Sequence, residues 1–502
     1  MCFFQYKNLF NHQKTYNCHS KINSFSRVFS FCICILICSY KQIYTQTVLI
    51  DLNKEKQTIR GFGGANIPAW IDDLTPDQVN KAFGNGAGQI GMNILRIRVP
   101  YDTSDFHKEL PTALEAQSYG AIIIASPWTP PPHMKTSNDI VGGSLKPSSY
   151  AEYAAHLKSF VDYMHKNGVS LYAISIQNEP DVPPVDYESC DWTAQEIVNF
   201  IKQYGDSIGN VKIIAAESFN FNTQATDPVL NDPEAESKVD IIGVHVYGSG
   251  HKDYPLALEK GKEIWVTEHF AGSTEPANDW EYAILVADDI HKCMVTNCSA
   301  YIWWYIRRFY GPMDDNSMLT KRGHIISQYS KFIRPGSIRI DISHNPLDNF
   351  YVTAYKKDTN IVIVAVNISY NQISQGFTIV GTNINCLNKH TTSETKNVNY
   401  EGLVIGSNES FTVQFEPRSI TTLSSSDSSV FITSTYPSFK KEITPIKNND
   451  VFKYSVFDLR GKLLERGRDN LKRPFKKKIV PGTYIINQDL PAQNNTPKIL
   501  NF

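Results

Sequence analysis

The chain has 502 residues, of which 41% are hydrophobic, 20% are charged and 12% are aromatic, and its formal net charge at pH 7 is −1. This length exceeds that of one compact unit, so we expect two or three domains. A nucleic-acid-binding protein usually carries a basic face, and the near-zero net charge gives no sign of one, so we expect no nucleic-acid partner.

The first local feature is an apolar segment near the N-terminus. Lys21 and Arg27 precede the run VFSFCICILICSY. A basic segment followed by an apolar one too short to span a bilayer is typical of a secretory signal peptide. We therefore expect residues 1–46 to form a leader that is cleaved between about Tyr40 and Thr47, and the protein to be secreted or at the cell surface. An uncleaved membrane anchor is the alternative.

Four of the nine cysteines lie outside this leader, namely Cys190, Cys293, Cys298 and Cys386. Their spacing matches no zinc-ligand pattern, and four cysteines in a large protein do not form a disulfide scaffold. Cys293 and Cys298 are either a disulfide in an oxidising compartment or two buried thiols. We expect no metal and no cofactor.

Residues 58–335 alternate short apolar runs with amphipathic stretches such as 150–167 and 193–208, which is typical of repeated βα units. The runs are nearly continuous, as expected for parallel strands buried on both faces. The eight predicted strands are Ile59–Gly63, Asn93–Val99, Ala121–Trp128, Leu171–Gln177, Val211–Glu217, Val239–His245, Glu263–Glu268 and Ala300–Tyr305. Their number and spacing predict a (β/α)8 TIM barrel in the α/β class. A doubly wound open sheet is the alternative, but no phosphate-binding glycine-rich turn follows the first run.

The pattern changes after Pro335. Residues 336–423 contain short alternating strands separated by Asn, Gly and Ser turns, which predicts an antiparallel β-sandwich. The strand-like segment before the barrel, within residues 47–57, is assigned to the same sandwich. Residues 424–436 have the composition of a Ser-rich linker, and residues 437–502 are expected to form a small β domain.

Two glutamates fall where barrel enzymes place their catalytic groups, at the carboxyl ends of strands. Glu179 ends the fourth predicted strand and Glu268 ends the seventh. In retaining glycosidases two carboxyl groups lie about 5–5.5 Å apart, one protonating the leaving oxygen while the other attacks the anomeric carbon. A single Glu at a strand end is as often a buried structural acid. Asn178 before Glu179 and Pro180 after it make the pattern more specific.

Several segments of the barrel resemble glycoside hydrolase family 30. In chain order they are GFGGANIPAWIDDLT, AFGNG, ILRIRV, SPWTPPPHMK, QNEPD, GVHVYG, VTEHF and YIWWYIRRFYGP. The resemblance implies an eight-fold barrel with an attached β-sandwich that is partly built from residues preceding the barrel. It also implies that Glu179 is the general acid/base and Glu268 the nucleophile.

Polar residues near these glutamates are candidate site residues. The resemblance implies that Asn178 binds the 2-hydroxyl of the sugar attacked by the nucleophile, a contact that strengthens in the transition state. His245 and Tyr247 end the sixth predicted strand and are expected to orient Glu268 or to line the site, although a core histidine is an alternative for His245. Arg96 is expected to pair with a carboxylate near the nucleophile, or to be an ordinary salt-bridge residue.

Aromatic residues at strand ends are the candidate sugar platforms. These residues are Trp128, Trp304 and Tyr305. Because side chains alternate along a strand, Trp303 is expected to face away from Trp304 and to serve packing.

The segment WWYIRRFYG resembles the glucuronoxylan endo-xylanase subfamily, in which an Arg and a Tyr after strand eight bind the glucuronic-acid branch. These positions are Arg308 and Tyr310, and a guanidinium suits a carboxylate because it donates two parallel hydrogen bonds. The subfamily also uses a Tyr and a Ser after the nucleophile. Ser273 fills the second position, but Phe270 stands at the first and removes one hydroxyl donor. Arg307 is expected to be an outward structural arginine, and the same role is the alternative for Arg308.

Residues 437–502 resemble, on FDLRGKLL and PGTYII, the small sorting domains that end many secreted bacterial proteins. This implies the secretion machinery as a partner. A carbohydrate-binding module is the alternative, but the tail contains no Trp.

Together these features predict a secreted, endo-acting, metal-free retaining xylanase that is monomeric, binds the polysaccharide xylan and recognises glucuronosyl branches. The alternatives are another family 30 activity, such as a β-glucosidase or β-1,6-glucanase, and a non-catalytic carbohydrate-binding surface protein.

Overall fold

A computed structural model describes residues 43–44, 46–248, 250–270, 275–382 and 384–425, together with the backbone of four strands between residues 452 and 501. Eight parallel strands close into a barrel in chain order, with the last strand pairing with the first. The barrel strands are Gly61–Ala65, Ile94–Arg98, Ile122–Ser126, Leu171–Ser175, Lys212–Ser218, Ile241–His245, Glu263–His269 and Cys298–Tyr305. The predicted fold class is therefore confirmed.

Several strand ends differ from the prediction. The third strand ends at Ser126 and the fourth at Ser175, two residues before Trp128 and Gln177. Proline is the reason in the third strand, because Pro127 has no N–H to continue the ladder. Trp128 and the residues after Gln177 consequently lie in the loops that form the mouth of the barrel.

Glycines allow the first barrel strand to lie unusually close to its neighbours. A β-carbon at Gly63 would lie 2.0 Å from the carbonyl oxygen of Ile94, and one at Gly64 would lie 2.5 Å from Ile306. The segment GFGGA therefore forms a strand although it is poor in β-branched residues.

Helices surround the barrel and bury its outer face. Their ranges are Pro76–Phe83, Leu110–Ser118, Tyr150–Lys166, Ala194–Tyr204, Asp227–Asn231, Pro233–Glu236, Pro255–Glu259, Trp280–Val295 and Lys321–Ser330. Thr75 and Thr193 each cap the N-terminus of a helix in a capping box. The Thr side chain accepts a hydrogen bond from the backbone N–H three positions later, and the side chain at that later position accepts one from the backbone N–H of the Thr. Inside the barrel lies a separate apolar core that includes Trp265 and Ile302.

Two further sheets lie beside the barrel and enclose a second core. The seven-stranded sheet has the order Asn399–Ile405, Cys386–Thr392, Ser419–Ser424, Asn360–Asn367, Phe350–Lys357, Ile338–Ile340 and Glu55–Thr58. The four-stranded sheet contains Ile43–Tyr44, Val48–Asp51, Ile373–Val380 and Ser410–Phe415. The strands before the barrel thus pair with strands after it.

Two barrel helices join the barrel to these sheets. Trp280 donates its indole N–H to the carbonyl oxygen of Arg418 at 3.1 Å, and the Gln328 amide donates to the hydroxyl of Thr392 at 2.9 Å. The carbonyl oxygen of Gln328 also accepts a hydrogen bond from Thr422. Barrel and sandwich therefore share a well-defined interface.

The described part of the tail is a four-stranded antiparallel sheet. Its order is Leu463–Asp469, Phe452–Phe457, Thr483–Asp489 and Lys498–Asn501. Most of the predicted leader and linker lies outside the described residues. Cys293 and Cys298 are both buried free thiols. None of the helices in the described residues is long and apolar enough to cross a membrane.

Candidate active site

The backbone at the end of the fourth barrel strand directs Glu179 into the barrel mouth. Its φ is +46°, in the left-handed region that few non-glycine residues adopt. Two backbone hydrogen bonds hold this conformation: Asn178 N–H donates to Pro127 at 2.8 Å, and Glu179 N–H donates to Glu217 at 3.1 Å. Such strain is found mainly where surrounding structure fixes a functional group.

Glu268 lies on the seventh barrel strand, where the pairing is irregular. The register shifts between Val266 and Glu268 relative to the sixth strand, and between Val266 and His269 relative to the eighth. Such irregularities commonly re-aim a side chain beside an active site.

The two glutamates meet in the barrel mouth. A carboxylate oxygen of Glu179, one of Glu268 and a ring nitrogen of His245 all lie within 4.8 Å of one another. The two glutamate residues are 4% and 7% exposed, respectively. Inverting glycosidases leave room for a water molecule, with carboxyl groups about 6.5–9.5 Å apart, so this closer approach fits the retaining arrangement.

Arg96, on the second barrel strand, connects the residues beneath the glutamates. Its guanidinium donates to Glu268 Oε2 at 2.6 Å, to Asn178 Oδ1 at 2.6 Å and to Glu217 Oε1 at 3.1 Å. A fourth bond reaches Ser126 Oγ at 3.1 Å. Arg96 is fully buried, so its charge acts on these groups with little screening by water.

The remaining carboxylate oxygens have different partners. Tyr247 donates its hydroxyl to Glu268 Oε1 at 2.9 Å. His245 Nδ1 lies 2.7 Å from Glu179 Oε1, and the hydroxyl of Tyr187 donates to Glu179 Oε2 at 3.3 Å. His245 therefore orients Glu179 while Tyr247 orients Glu268.

Burial dominates the acidity of the pair. It raises the pKa of Glu179 to about 7, with the charge of Arg96 and the Tyr187 hydrogen bond opposing the change. Burial also raises the pKa of Glu268, with His245 and the charge of Arg96 opposing the change. It lowers the pKa of His245 to about 4, so this imidazole is neutral at pH 7. Because Arg96 contacts Glu268 directly, Glu268 loses its proton first and Glu179 keeps one near neutral pH.

The donor set of Glu179, His245 and Glu268 would offer a metal ion three ligands. However, the guanidinium of Arg96 lies 2.6 Å from Glu268 Oε2 and places a positive charge where a cation would bind. The arrangement favours proton transfer and nucleophilic attack by the two carboxyl groups.

The predicted aromatic platforms differ in exposure. Trp128 and Tyr305 are buried, and Trp304 is partly exposed. One face of Trp128 is covered by Arg96, whose guanidinium carbon lies 4.6 Å from the ring centroid. Trp70, which the sequence analysis did not single out, contacts both Trp128 and Trp304. Trp303 is fully buried, in agreement with its predicted packing role.

The residues predicted to bind an acidic branch lie beyond the eighth strand. Arg308 is exposed, its guanidinium carbon lies 5.5 Å from the ring centroid of Tyr305, and its charge opposes the raised pKa of the buried Tyr310. Phe270 packs against Tyr310 with ring centroids 5.3 Å apart. Arg307 is half-buried and donates to a backbone carbonyl in the 66–75 loop. The predicted Ser273 lies outside the described residues.

Glu217 is a residue of this site that the sequence analysis missed. It lies at the end of the fifth barrel strand, is fully buried, and accepts hydrogen bonds from Arg96 and Ser126. Burial alone would raise its pKa, yet the charge of Arg96, together with His245 and the hydrogen bonds of Ser175 and Ser126, outweighs burial, and the pKa lies below the ordinary value. Its position after an apolar run was the same signal that identified Glu179 and Glu268.

Residues 62–283 match the family model described as "Glycosyl hydrolase family 30 TIM-barrel domain". The chain is 42% identical over 386 residues to glucuronoxylanase XynC of Bacillus subtilis (strain 168), covering 75% of this chain and 90% of that protein. The chain belongs to glycoside hydrolase family 30. Members of this family hydrolyse glycosidic bonds with retention, which agrees with the close approach of the two carboxylates.

Two solved structures of family 30 are also similar. The subfamily 8 xylanase Xyn30A of Clostridium acetobutylicum has 38% identity and a TM-score of 0.71, with 75% of this chain and 99% of that chain covered. An endoxylanase of Clostridium papyrosolvens C71 has 35% identity and a TM-score of 0.69, with 76% and 99% covered. Family 30 membership thus extends through both the barrel and the sandwich.

Proposed function

We propose that this family 30 enzyme is an endo-acting xylanase that cleaves β-1,4-xylan by double displacement, with Glu268 as nucleophile and Glu179 as acid/base. The observation that carries the proposal is the meeting of two buried carboxyl groups within 4.8 Å in unequal electrostatic surroundings. Similarity to proteins named as glucuronoxylanases and endoxylanases supports xylan as the substrate.

In the first step a carboxylate oxygen of Glu268 bonds to the anomeric carbon while the glycosidic carbon–oxygen bond breaks. Glu179, whose pKa of about 7 keeps much of it protonated, gives its proton to the departing oxygen. In the second step water attacks the anomeric carbon, Glu179 takes a proton from that water, and the bond to Glu268 breaks. Each step inverts the configuration at the anomeric carbon, so the two steps together retain it.

Asn178 is placed to assist both steps. Its Oδ1 accepts the hydrogen bond from Arg96 at 2.6 Å, which orients the amide and leaves its N–H donors for the substrate. An amide N–H directed at the sugar 2-hydroxyl supplies a contact that strengthens as the oxocarbenium-like transition state forms.

Arg308 and Tyr310 support recognition of a glucuronosyl branch. Within the described residues, no carboxylate forms an ion pair with Arg308, so its exposed guanidinium is available to an acidic sugar. Tyr310 lies beside it, whereas Phe270 offers a ring and no hydroxyl. A guanidinium binds a carboxylate with two parallel hydrogen bonds, which favours an acidic branch over a neutral one.

Paired substrates test this proposal. Arg308→Ala is expected to lower kcat/KM on glucuronoxylan by roughly 10- to 100-fold, because a lost charge-assisted hydrogen bond is worth about 1.5–3 kcal/mol. Activity on undecorated xylan should change little, and Arg307→Ala is the control. Equal losses on both substrates would show that Arg308 does not bind the branch.

Phe270→Tyr provides a test in the opposite direction. Restoring the hydroxyl should improve kcat/KM on glucuronoxylan and leave that on undecorated xylan unchanged. Mass spectrometry of the products would check the same point, since one branch at a fixed position in every product indicates branch-directed cleavage.

We also propose that the enzyme is secreted or held at the cell surface, acts as a monomer, and reaches the secretion machinery through residues 437–502. The basic and apolar N-terminal segment and the sequence of the tail support this proposal. Fractionation of cells that express the full chain, or the chain without residues 437–502, tests it. Intact chain retained in the cytoplasm would contradict secretion, and unchanged export of the shortened chain would contradict a role of the tail.

A further inference from the structure

Tyr187 lies in the loop after the fourth barrel strand and contacts the acid/base directly. Its hydroxyl donates to Glu179 Oε2 at 3.3 Å, while Oε1 of the same carboxyl group is held by His245 at 2.7 Å. His245 is fully buried, so Oε1 faces the protein interior. Oε2 is therefore the oxygen that can exchange a proton with substrate, and Tyr187 lies beside it.

The side chain of Tyr187 is unusual among the residues that hold the two glutamates because it is open to solvent. It is 41% exposed, whereas Arg96, Asn178 and His245 are buried. A general acid must face the oxygen of the leaving group. The exposed ring of Tyr187 consequently lies on the solvent side of Glu179, which is the side open to a substrate.

The loop that carries Tyr187 is fixed by buried polar contacts. Ser189 Oγ donates to the carbonyl oxygen of Tyr187 at 3.1 Å and accepts from the N–H of Gly142 at 2.9 Å. Lys135, fully buried, donates to the carbonyl oxygen of Ser189 at 2.7 Å. Beside these contacts, Glu188 forms a buried ion pair with Arg98 at 2.8 Å. Buried charges are costly unless paired, so these contacts indicate that the position of the loop matters.

We propose, on the basis of the function proposed above, that Tyr187 positions the proton-transferring oxygen of Glu179 and that its ring forms part of the subsite for the departing sugar. When Glu179 is ionised, the phenol donates to Oε2 and stabilises the carboxylate. When Glu179 is protonated, that proton points to the glycosidic oxygen, and Oε2 becomes a weaker acceptor for the phenol. Burial and the negative charges of Glu179 and Glu268 raise the pKa of Tyr187, so the phenol remains a donor at working pH.

Two substrates separate this role from a structural one. Xylan needs a proton on its leaving oxygen, whereas a dinitrophenyl xylobioside has a leaving group that needs none and places no sugar on that side. Tyr187→Phe is expected to lower kcat/KM on xylan by about tenfold and to leave the aryl glycoside within about twofold, because general acid catalysis acts on the first substrate alone. Tyr187→Ala should lower the value on xylan further, again without an effect on the aryl glycoside.

The pH profile gives an independent measurement. Because the Tyr187 hydrogen bond lowers the pKa of Glu179, its removal in Tyr187→Phe should move the basic limb of kcat/KM on xylan to higher pH. Tyr282→Phe is the matched control, since Tyr282 is 40% exposed and lies on the helix Trp280–Val295. Equal losses on both substrates, no loss on xylan, or an unmoved basic limb would overturn the proposal.

The loop contacts extend the test. Ser189→Ala should lower kcat/KM on xylan in the wild-type background and have no further effect in Tyr187→Ala, because both changes act through the side chain of Tyr187. A loss that adds fully to that of Tyr187→Ala would overturn the positioning role of the loop. Whether the wild type hydrolyses the two substrates tests the proposed function. The ratio of kcat/KM in the variant to kcat/KM in the wild type, taken on each substrate, tests the role of Tyr187.

Discussion

Glu179 and Glu268 occupy two ends of barrel strands that are equally buried but electrostatically different. Glu268 receives a guanidinium from Arg96 at 2.6 Å and a phenol from Tyr247 at 2.9 Å. Glu179 contacts a neutral imidazole and the phenol of Tyr187. Burial raises the pKa of both carboxyl groups, so the nearby positive charge decides which one is ionised and which one holds a proton.

The largest effect on kcat is expected when the negative charge of Glu268 is removed. Glu268→Gln keeps the size of the side chain but cannot form the covalent intermediate, so kcat should fall by at least about 10,000-fold. Glu263→Gln, at the other end of the same strand, is the control. Steady-state kinetics on xylan would measure the loss, and a near-normal rate in Glu268→Gln would exclude it as nucleophile.

The stability of the protein should reveal the proton on Glu179. Its folded pKa of about 7 exceeds the ordinary value of 4.5, so its contribution to stability is fully present below about pH 4.5 and is lost as the pH rises through 7. The loss amounts to about 3 kcal/mol at pH 8. Glu179→Gln lacks this titration and should gain that much in free energy of unfolding, relative to wild type, between pH 4 and pH 8.

Urea unfolding at several pH values measures this difference directly. A constant difference between Glu179→Gln and wild type across the range would mean that Glu179 is ionised throughout. In that case the two strand ends would be electrostatically alike.

Replacing Arg96 with Lys tests whether charge alone separates the two glutamates. Lys keeps the positive charge but cannot reach Glu268, Asn178 and Glu217 together, so kcat is expected to fall by roughly 100-fold, or about 2.7 kcal/mol. The acid limb of the pH profile should also move to higher pH, since Glu268 loses its closest donor. Arg60→Lys, at an ion pair with Glu263, is the control.

The smallest effect is expected for Tyr247→Phe. Removing one hydrogen bond to the Glu268 carboxylate should cost about 1–2 kcal/mol and move the acid limb slightly upward. The basic limb, which reports on Glu179, should not move. A shift of both limbs by the same amount would show that Tyr247 does not distinguish the two carboxyl groups.

The sequence was informative about the barrel because its apolar runs have a strong pattern. Runs of hydrophobic residues are required in any strand buried on both faces, so all eight strands could be located. The ends were less certain: Trp128 and Gln177 lie beyond the strands into which the apolar pattern had extended them. Strand ends depend on backbone hydrogen bonds, which hydrophobicity does not report.

The candidate site was predicted in part. Glu179 and Glu268 were identified because each directly follows an apolar run. Glu217 follows such a run as well, but it was overlooked. Tyr187 lies in the loop of 18 residues, from Ile176 to Thr193, that joins the fourth strand to the helix Ala194–Tyr204, and no periodicity marks it. The roles of His245 and Tyr247 became distinct only when their partners were visible.

By itself the sequence determined the barrel and the position of the two carboxyl groups at its strand ends. The tertiary structure decided which group each carboxylate contacts. Arg96 joins Glu268, 172 positions later, to Asn178, 82 positions later, through bonds of 2.6 Å. Such contacts depend on strand register, on the irregular pairing near Glu268 and on the left-handed backbone at Glu179. These features follow from the packing of the whole barrel, and no local pattern of residues encodes them.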